Sequence, residues 1–264
     1  MQAIIAQPEE DTPRLVYADW LQENGQPERA EYIRLSIEMA NLRYGITDDE
    51  QRYWQLRAAR DPLVERHYKV WERAFASRFP PNRDVLFGLD RGFVERIHCS
   101  VKYLLDHADA LFREATLRTF SPHALSASTA RRLVGSPHFA RLRRLQTIRF
   151  DNAAVLLECD AVPLQTLDFS QPVVSSRYWD RVAEVAAGHA GLGSVRYLSF
   201  ENCGLGNLAG ACLADARHLE PDVLNLIGHN ISEERVKDAL RARYGKRVWL
   251  DEADRAGVPR RMCG

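Results

Sequence analysis

Apolar residues recur along this chain with two different periods, and the change of period divides it. Near the start the period is helical. Asp11-Thr12-Pro13 opens a helix, with a capping oxygen followed by a proline where no N–H is needed. Leu15, Val16, Ala18, Trp20 and Leu21 follow, and Gly25 supplies the stop. A second helix is predicted from about Pro27 to Leu42, with Ala30, Ile33, Ile37 and Ala40 at helical spacing. The two helices should form a hairpin packed through Tyr17, Trp20 and Ile33. Residues 47–90 also read as helical, with Tyr53, Trp54, Leu56, Leu63, Val64, Tyr68, Trp71 and Phe75 as apolar contacts. Pro80-Pro81-Asn82 ends that segment.

Beyond residue 90 the apolar positions fall into short alternating runs. Leu198-Ser199-Phe200-Glu201-Asn202-Cys203-Gly204-Leu205 has the L-x-L-x-x-C-x-L shape of a leucine-rich repeat, with Phe200 in place of one leucine. Leu224-Asn225-Leu226-Ile227-Gly228-His229-Asn230-Ile231 echoes it, and Leu145–Phe150 is duplicated at Leu164–Phe169. Strand anchors are predicted at Ile97, Phe120, Ile148, Leu167, Leu198, Leu224 and Val248, at intervals of 19 to 31 residues. Leucine-rich repeats run about 20–29 residues, so the array is irregular. Return helices are expected over Tyr103–Ala115, Ser128–Gly135, Arg177–Ala187, Gly206–Arg217 and Glu233–Tyr244. One strand-plus-helix unit cannot bury its own apolar side, whereas stacked units close a continuous core. The predicted fold is therefore an α/β leucine-rich-repeat solenoid, parallel strands on the concave face and helices on the convex face, behind an α-helical N-terminal module. Residues 1–90 form the helical capping module, 91–251 the repeats, and 252–264 a polar tail expected to fray.

Strand alternation puts Ile148 and Phe150 in the core and Arg149 and Asp151 on the concave sheet. The same rule exposes Asp168 and Ser170, Ser199 and Glu201, and Asn225 and Ile227. Cys203 sits at the strand-to-helix turn, where it should pack in the core or bond a backbone group.

The run Asp11-Thr12-Pro13-Arg14-Leu15-Val16-Tyr17-Ala18-Asp19-Trp20-Leu21, followed by Arg29-Ala30-Glu31-Tyr32-Ile33-Arg34-Leu35, resembles the bacterial repeat-companion domain. The likeness covers roughly residues 1–42. It implies a small helical module placed ahead of leucine-rich repeats of the ribonuclease-inhibitor-like kind. It carries no established activity to any position. Arg14, Asp19, Glu31 and Arg34 are its polar residues, either functional or engaged as internal salt bridges and caps.

The 264 residues are 45% apolar and 27% charged, enough for a real core. Lys+Arg and Asp+Glu balance at 36 each, which argues against a general nucleic-acid or membrane-surface binder. No run approaches a membrane span, and a cytoplasmic location is expected. The five Cys are odd in number and form no C-x-x-C, as befits reduced thiols. The eight His form no H-x-x-x-H or H-E-x-x-H, and no G-x-S-x-G or phosphate-binding G-x-x-x-x-G-K-[ST] occurs. Asp251-Glu252-Ala253-Asp254 matches a helicase tetrapeptide by chance. No cofactor, metal or catalytic residue is called for. The expected function is a non-enzymatic interaction module, an adaptor binding a protein partner on the concave face through Arg149, Asp168, Tyr197, Glu201, Asn225 and Trp249. Mixed charge and two aromatics suit a protein surface. The alternative is a regulatory adaptor or protease substrate in a bacterial signalling or antiphage-defence system, with a bacterial effector such as a protease as partner. It would need an exposed cleavable segment, at Thr47–Gln51, at Pro80–Asp84 or after Phe150.

Overall fold

The computed structural model describes residues 1–42, 50–123, 125–146, 164–169 and 176–254. It is an α/β structure built on one eight-stranded sheet whose spatial order is its sequence order, β1 to β8. The strands are β1 (Leu86–Asp90), β2 (Phe93–Cys99), β3 (Thr119–Pro122), β4 (Arg144–Gln146), β5 (Thr166–Asp168), β6 (Tyr197–Ser199), β7 (Val223–Asn225) and β8 (Val248–Trp249). Only β1 runs antiparallel, against β2; every later neighbour is parallel. Parallel neighbours need a crossover; among the described residues helices lie in each such connection but that from β4 to β5, most of which is outside the described residues. α5 (Val101–Asp106) and α6 (Ala108–Glu114) join β2 to β3, and α7 (Ala127–Val134) leads towards β4. α8 (Ser176–Gly188), α9 (Asn207–Asp215) and α10 (Glu234–Tyr244) precede β6, β7 and β8. The expected return helices are all present, except that Tyr103–Ala115 is two helices divided at His107.

Register fixes the core. Ile97, Phe120, Leu145, Leu167, Leu198, Leu224 and Val248 lie side by side on consecutive strands and are all buried. The third anchor is thus Leu145 and not Ile148. Ile148-Arg149-Phe150 is an apolar-x-apolar triplet and Leu145-Gln146-Thr147 is not, so the local pattern favours Ile148, and only pairing with Phe120 and Leu167 selects Leu145. Ile148, with Arg149 and Phe150, lies outside the described residues. The echo between Leu198 and Leu224 extends through the turn. Phe200 N–H donates to Asn225 C=O at 2.8 Å, and Asn202 N–H to Ile227 C=O at 2.7 Å. Asn202 has φ +58°, a left-handed conformation that Asn tolerates. Cys203 is buried and its thiol donates to Phe169 C=O of the preceding unit at 3.3 Å. Burial pushes that thiol far above its ordinary pKa, helped by the charges of Asp168 and Glu201. It is a packing and capping residue, as the repeat pattern leads one to expect.

Among the described residues four helices precede the sheet: α1 (Gln2–Ala6), α2 (Thr12–Glu23), α3 (Pro27–Asn41) and α4 (Glu50–Ala76). Gly25, at φ +77°, ends α2. Gln26 N–H donates to Leu21 C=O and Gly25 N–H to Gln22 C=O, the paired bonds of a Schellman stop. Asp11 precedes α2, yet its carboxylate does not cap the helix. It accepts instead from Arg91 and Asn41. The α2–α3 hairpin packs through Ile4, Ala18, Leu21, Ala30, Ile33 and Ile37, with Tyr17 alongside. Trp20 is 49% exposed and not part of that contact; it stacks on Tyr17 from outside. Residues 86–90, read as helical from sequence, form β1 and pair with β2 across the expected module boundary. Their short apolar run, Leu86-Phe87-Gly88-Leu89, fits either state by periodicity alone.

A cleft between the helical module and the inner face

The sheet has two faces. One carries the core anchors and the crossover helices. On the other, Arg96, Thr119, Arg144, Thr166, Tyr197 and Val223 form one row of register partners. Ser121, Asp168, Ser199, Asn225 and Trp249 belong to the next row by alternation.

The second row departs from expectation. Asp168, Ser199, Asn225 and Ile227 are buried, as are Tyr197 and Trp249. Alternation assigned their side of the sheet but not their exposure. Parallel neighbours stand about 4.8 Å apart, so bulky residues cover short ones. Tyr197, Ile227 and Trp249 close over the shorter Ser199 and Asn225 as a small apolar cluster. The Tyr197 and Trp249 rings meet edge-on with centroids 6.4 Å apart. Asn225 is held at both ends of its amide: the nitrogen donates to Glu201 at 2.8 Å and the oxygen accepts from Ile227 N–H. Of the expected binding residues, Asp168, Tyr197, Asn225 and Trp249 therefore stabilise the inner face, Glu201 is half-buried, and Arg149 is outside the described residues. The chance tetrapeptide at the end is a turn: Asp254 accepts from Leu250 and Asp251 N–H, and Asp251 from Ala253 and Asp254 N–H.

The open space lies at the other end. α3 and α4 stand over the inner face of β1–β5 and enclose a cleft of about 440 Å³. Tyr32, Arg60, Val64 and Tyr68 line it from the helices, and Arg96, Thr119, Arg144 and Thr166 from the strands. Sequence reading gave Val64 and Tyr68 as packing residues and did not single out Arg60, Arg96 or Arg144. The i, i+4 spacing of Arg60, Val64 and Tyr68 was the available signal, since it sets them on one face.

Tyr68 is fixed by its backbone partners. Its hydroxyl donates to Phe87 C=O at 3.1 Å and accepts from Leu89 N–H at 3.4 Å. Burial raises its pKa, and raises Tyr32 to about 12, so both hydroxyls stay protonated at neutral pH. Arg60 pairs with Asp61 at 2.7 Å, and Arg57 shares that carboxylate at 3.1 Å. Burial pushes Asp61 up, but the hydrogen bonds from Arg60 and Arg57 outweigh it and hold it below the usual carboxylate value. Arg144 reaches Asp90 at 3.5 Å. Arg96 is different: half-buried, it makes no hydrogen bond or ion pair among the described residues. Its stem crosses Gly88 of β1, where an added Cβ would lie 3.0 Å from the Arg96 Cβ. Glycine at 88 lets the guanidinium lie along the cleft floor.

A second cluster fixes the cleft's roof. The β1–β2 turn is Arg91-Gly92, with φ +45° and +86°. These are the signs of a type I′ hairpin turn. Arg14 and Arg91 both reach Glu95 on β2, and both donate to Pro8 C=O at 2.9 Å. Arg118 of the chain before β3 pairs with Glu9. Of the polar residues in the N-terminal run, Arg14 thus bonds Glu95, Arg34 bonds Asp19 at 2.6 Å, and Glu31 is exposed. Burial raises Glu95 to about 7, with the charge of Asp90 adding to it and those of Arg91 and Arg14 opposing.

Among the described residues no group of three or more His, Cys, Asp or Glu could hold a metal ion, and no helix is long and apolar enough to cross a membrane. Of the segments considered cleavable, Pro80–Asp84 is exposed; of Thr47–Gln51, residues 50 and 51 begin α4 and 47–49 lie outside the described residues, as do 151–163 after Phe150. Compared with protein-family models, curated proteins and solved structures, the chain matches none.

Proposed function

We propose that this chain is a leucine-rich-repeat solenoid closed at its first strand by a repeat-companion helical module, and that it works as a non-enzymatic protein-binding adaptor. The partner sits in the cleft between α3–α4 and the inner face of β1–β5. One observation carries this reading: the inner face is filled and self-satisfied around Tyr197, Asn225 and Trp249, whereas at Arg96 and Arg144 it opens into a lined cavity. Sequence-ordered parallel strands with a crossover between them support the repeat architecture. The N-terminal run of residues 11–35 supports the identity of the module.

Site-specific photo-crosslinking tests the reading. Benzoylphenylalanine is placed at Val64 or Thr166, which line the cleft, and at Leu208, which is 67% exposed on α9. In cells of the source organism, Val64 and Thr166 are expected to trap the same polypeptide and Leu208 not to. Trapping at Leu208 alone, or at none of the three, would contradict it.

A further inference from the structure

The cleft is polar, and its charges do not balance. Three guanidiniums, Arg60, Arg96 and Arg144, face it against the carboxylates of Asp61 and Asp90. Asp61 is also shared with Arg57. Arg60 and Arg144 therefore have counter-ions, and Arg96 has none among the described residues. A half-buried cation without a partner is costly to hold and is relieved by an anion. Of the three lining arginines, Arg96 alone is left without a carboxylate among the described residues. Hydroxyls of Thr119 and Thr166 line the same floor as Arg96 and Arg144 in the register Arg96, Thr119, Arg144, Thr166. A guanidinium fork with adjacent hydroxyls matches a planar monoanion.

From this we infer that the cleft holds a carboxylate of the bound polypeptide, with Arg96 as its principal anchor and Arg144 as the second. The inference rests on the cleft being the protein-binding site and names the chemistry it selects. A peptide carboxylate answers the one lining guanidinium left without a partner among the described residues, and phosphate, with nearly two charges at neutral pH, is the competing anion that the test includes. Arg96 is held for the task by Gly88, whose missing Cβ leaves room for the arginine stem.

Arginine side-chain NMR tests this on the full chain. The Nε–Hε signal of Arg96 is followed during titration to millimolar concentration with four probes. They are a capped Gly/Ser hexapeptide containing two Glu, the same peptide with Gln for Glu, an uncapped Gly/Ser hexapeptide with a free C-terminal carboxylate, and inorganic phosphate. A saturable shift of Arg96 is expected with one or both carboxylate probes, and none with the Gln peptide; the two carboxylate arms tell a side chain from a chain end. Arg96→Gln is expected to weaken binding about tenfold or more, with the thermal midpoint of the unliganded chain not lowered. Gly88→Ala, which displaces the arginine without removing its charge, should weaken it in the same direction. No shift with either carboxylate probe, an equal shift with the Gln peptide, or tighter binding of phosphate would overturn the inference. If Val64 still traps a polypeptide in that case, the binding face stands and only its chemistry is wrong.

Discussion

At the scale of single residues, the contact that decides most is the one between Arg14 and Glu95. Arg14 is completely buried, yet its Nε and Nη1 find no hydrogen-bond partner among the described residues. Its value therefore lies in the bond to Glu95, the bond to Pro8 and the stacking of the guanidinium over Phe93, 5.2 Å from the ring centroid. Arg14→Ala should destabilise the fold by about 3–5 kcal/mol, since it opens a cavity and breaks a buried pair. Arg14→Met should recover only the cavity part of that loss, because it fills the volume but still leaves Glu95 without its buried partner. Chemical denaturation of both variants measures the difference; equal losses would mean that the charge, not the volume, is what matters. Glu95 makes a separate statement about pH. Its carboxyl is raised from 4.5 to about 7 in the fold, so the folded state holds a proton that the unfolded chain has released. The associated stability is complete below pH 4.5 and is lost as the pH rises through about 7. Glu95→Gln should remove that falling component from the curve of unfolding free energy against pH. An unchanged curve in the variant would show that Glu95 is ionised across the whole window.

At the scale of elements, the joint between module and sheet is a turn seated on a helix. Gly92 has a positive φ, and a Cβ there would come within 2.2 Å of the Ile33 side chain on α3. Gly92→Ala should therefore cost about 1–3 kcal/mol through overpacking, with turn strain added. In the double variant with Ile33→Ala the two losses should sum to less than their separate values, because the smaller neighbour accepts the methyl group. Strict additivity in a double-mutant cycle would place the defect elsewhere. None of this joint could be read from sequence. Arg91-Gly92 is a common dipeptide, and its role depends on contact with Ile33, nearly sixty residues earlier. The elements themselves were legible where pattern was long. The second helix was expected at residues 27–42 and runs Pro27–Asn41, and the return helices fall close to their expected ranges. The short strands were harder. Local alternation favours Ile148 over Leu145 as an anchor, and only lateral pairing places Leu145 in the row.

At the scale of the whole molecule, the candidate site was the least legible feature. Alternation named the correct side of the sheet for Asp168, Tyr197, Asn225 and Trp249, but their burial follows from neighbours several units apart in sequence. The cleft needs α3 and α4 held across strands that come later in the chain, so no local window contains it. It exists because Arg14, Arg91 and Arg118 tie residues 8–14 to the first strands. Everything functional depends on that tie keeping the module and the sheet as one body. Pulsed electron–electron resonance between nitroxides carried on p-acetylphenylalanine at Glu65 of α4 and Gln165 beside β5, both exposed, measures it directly and leaves the native cysteines untouched. A single narrow distance distribution in the intact chain, broadened by Arg14→Ala, is the expected result. A broad or multimodal distribution in the intact chain would mean that the helices swing free of the strands and that no fixed cleft exists.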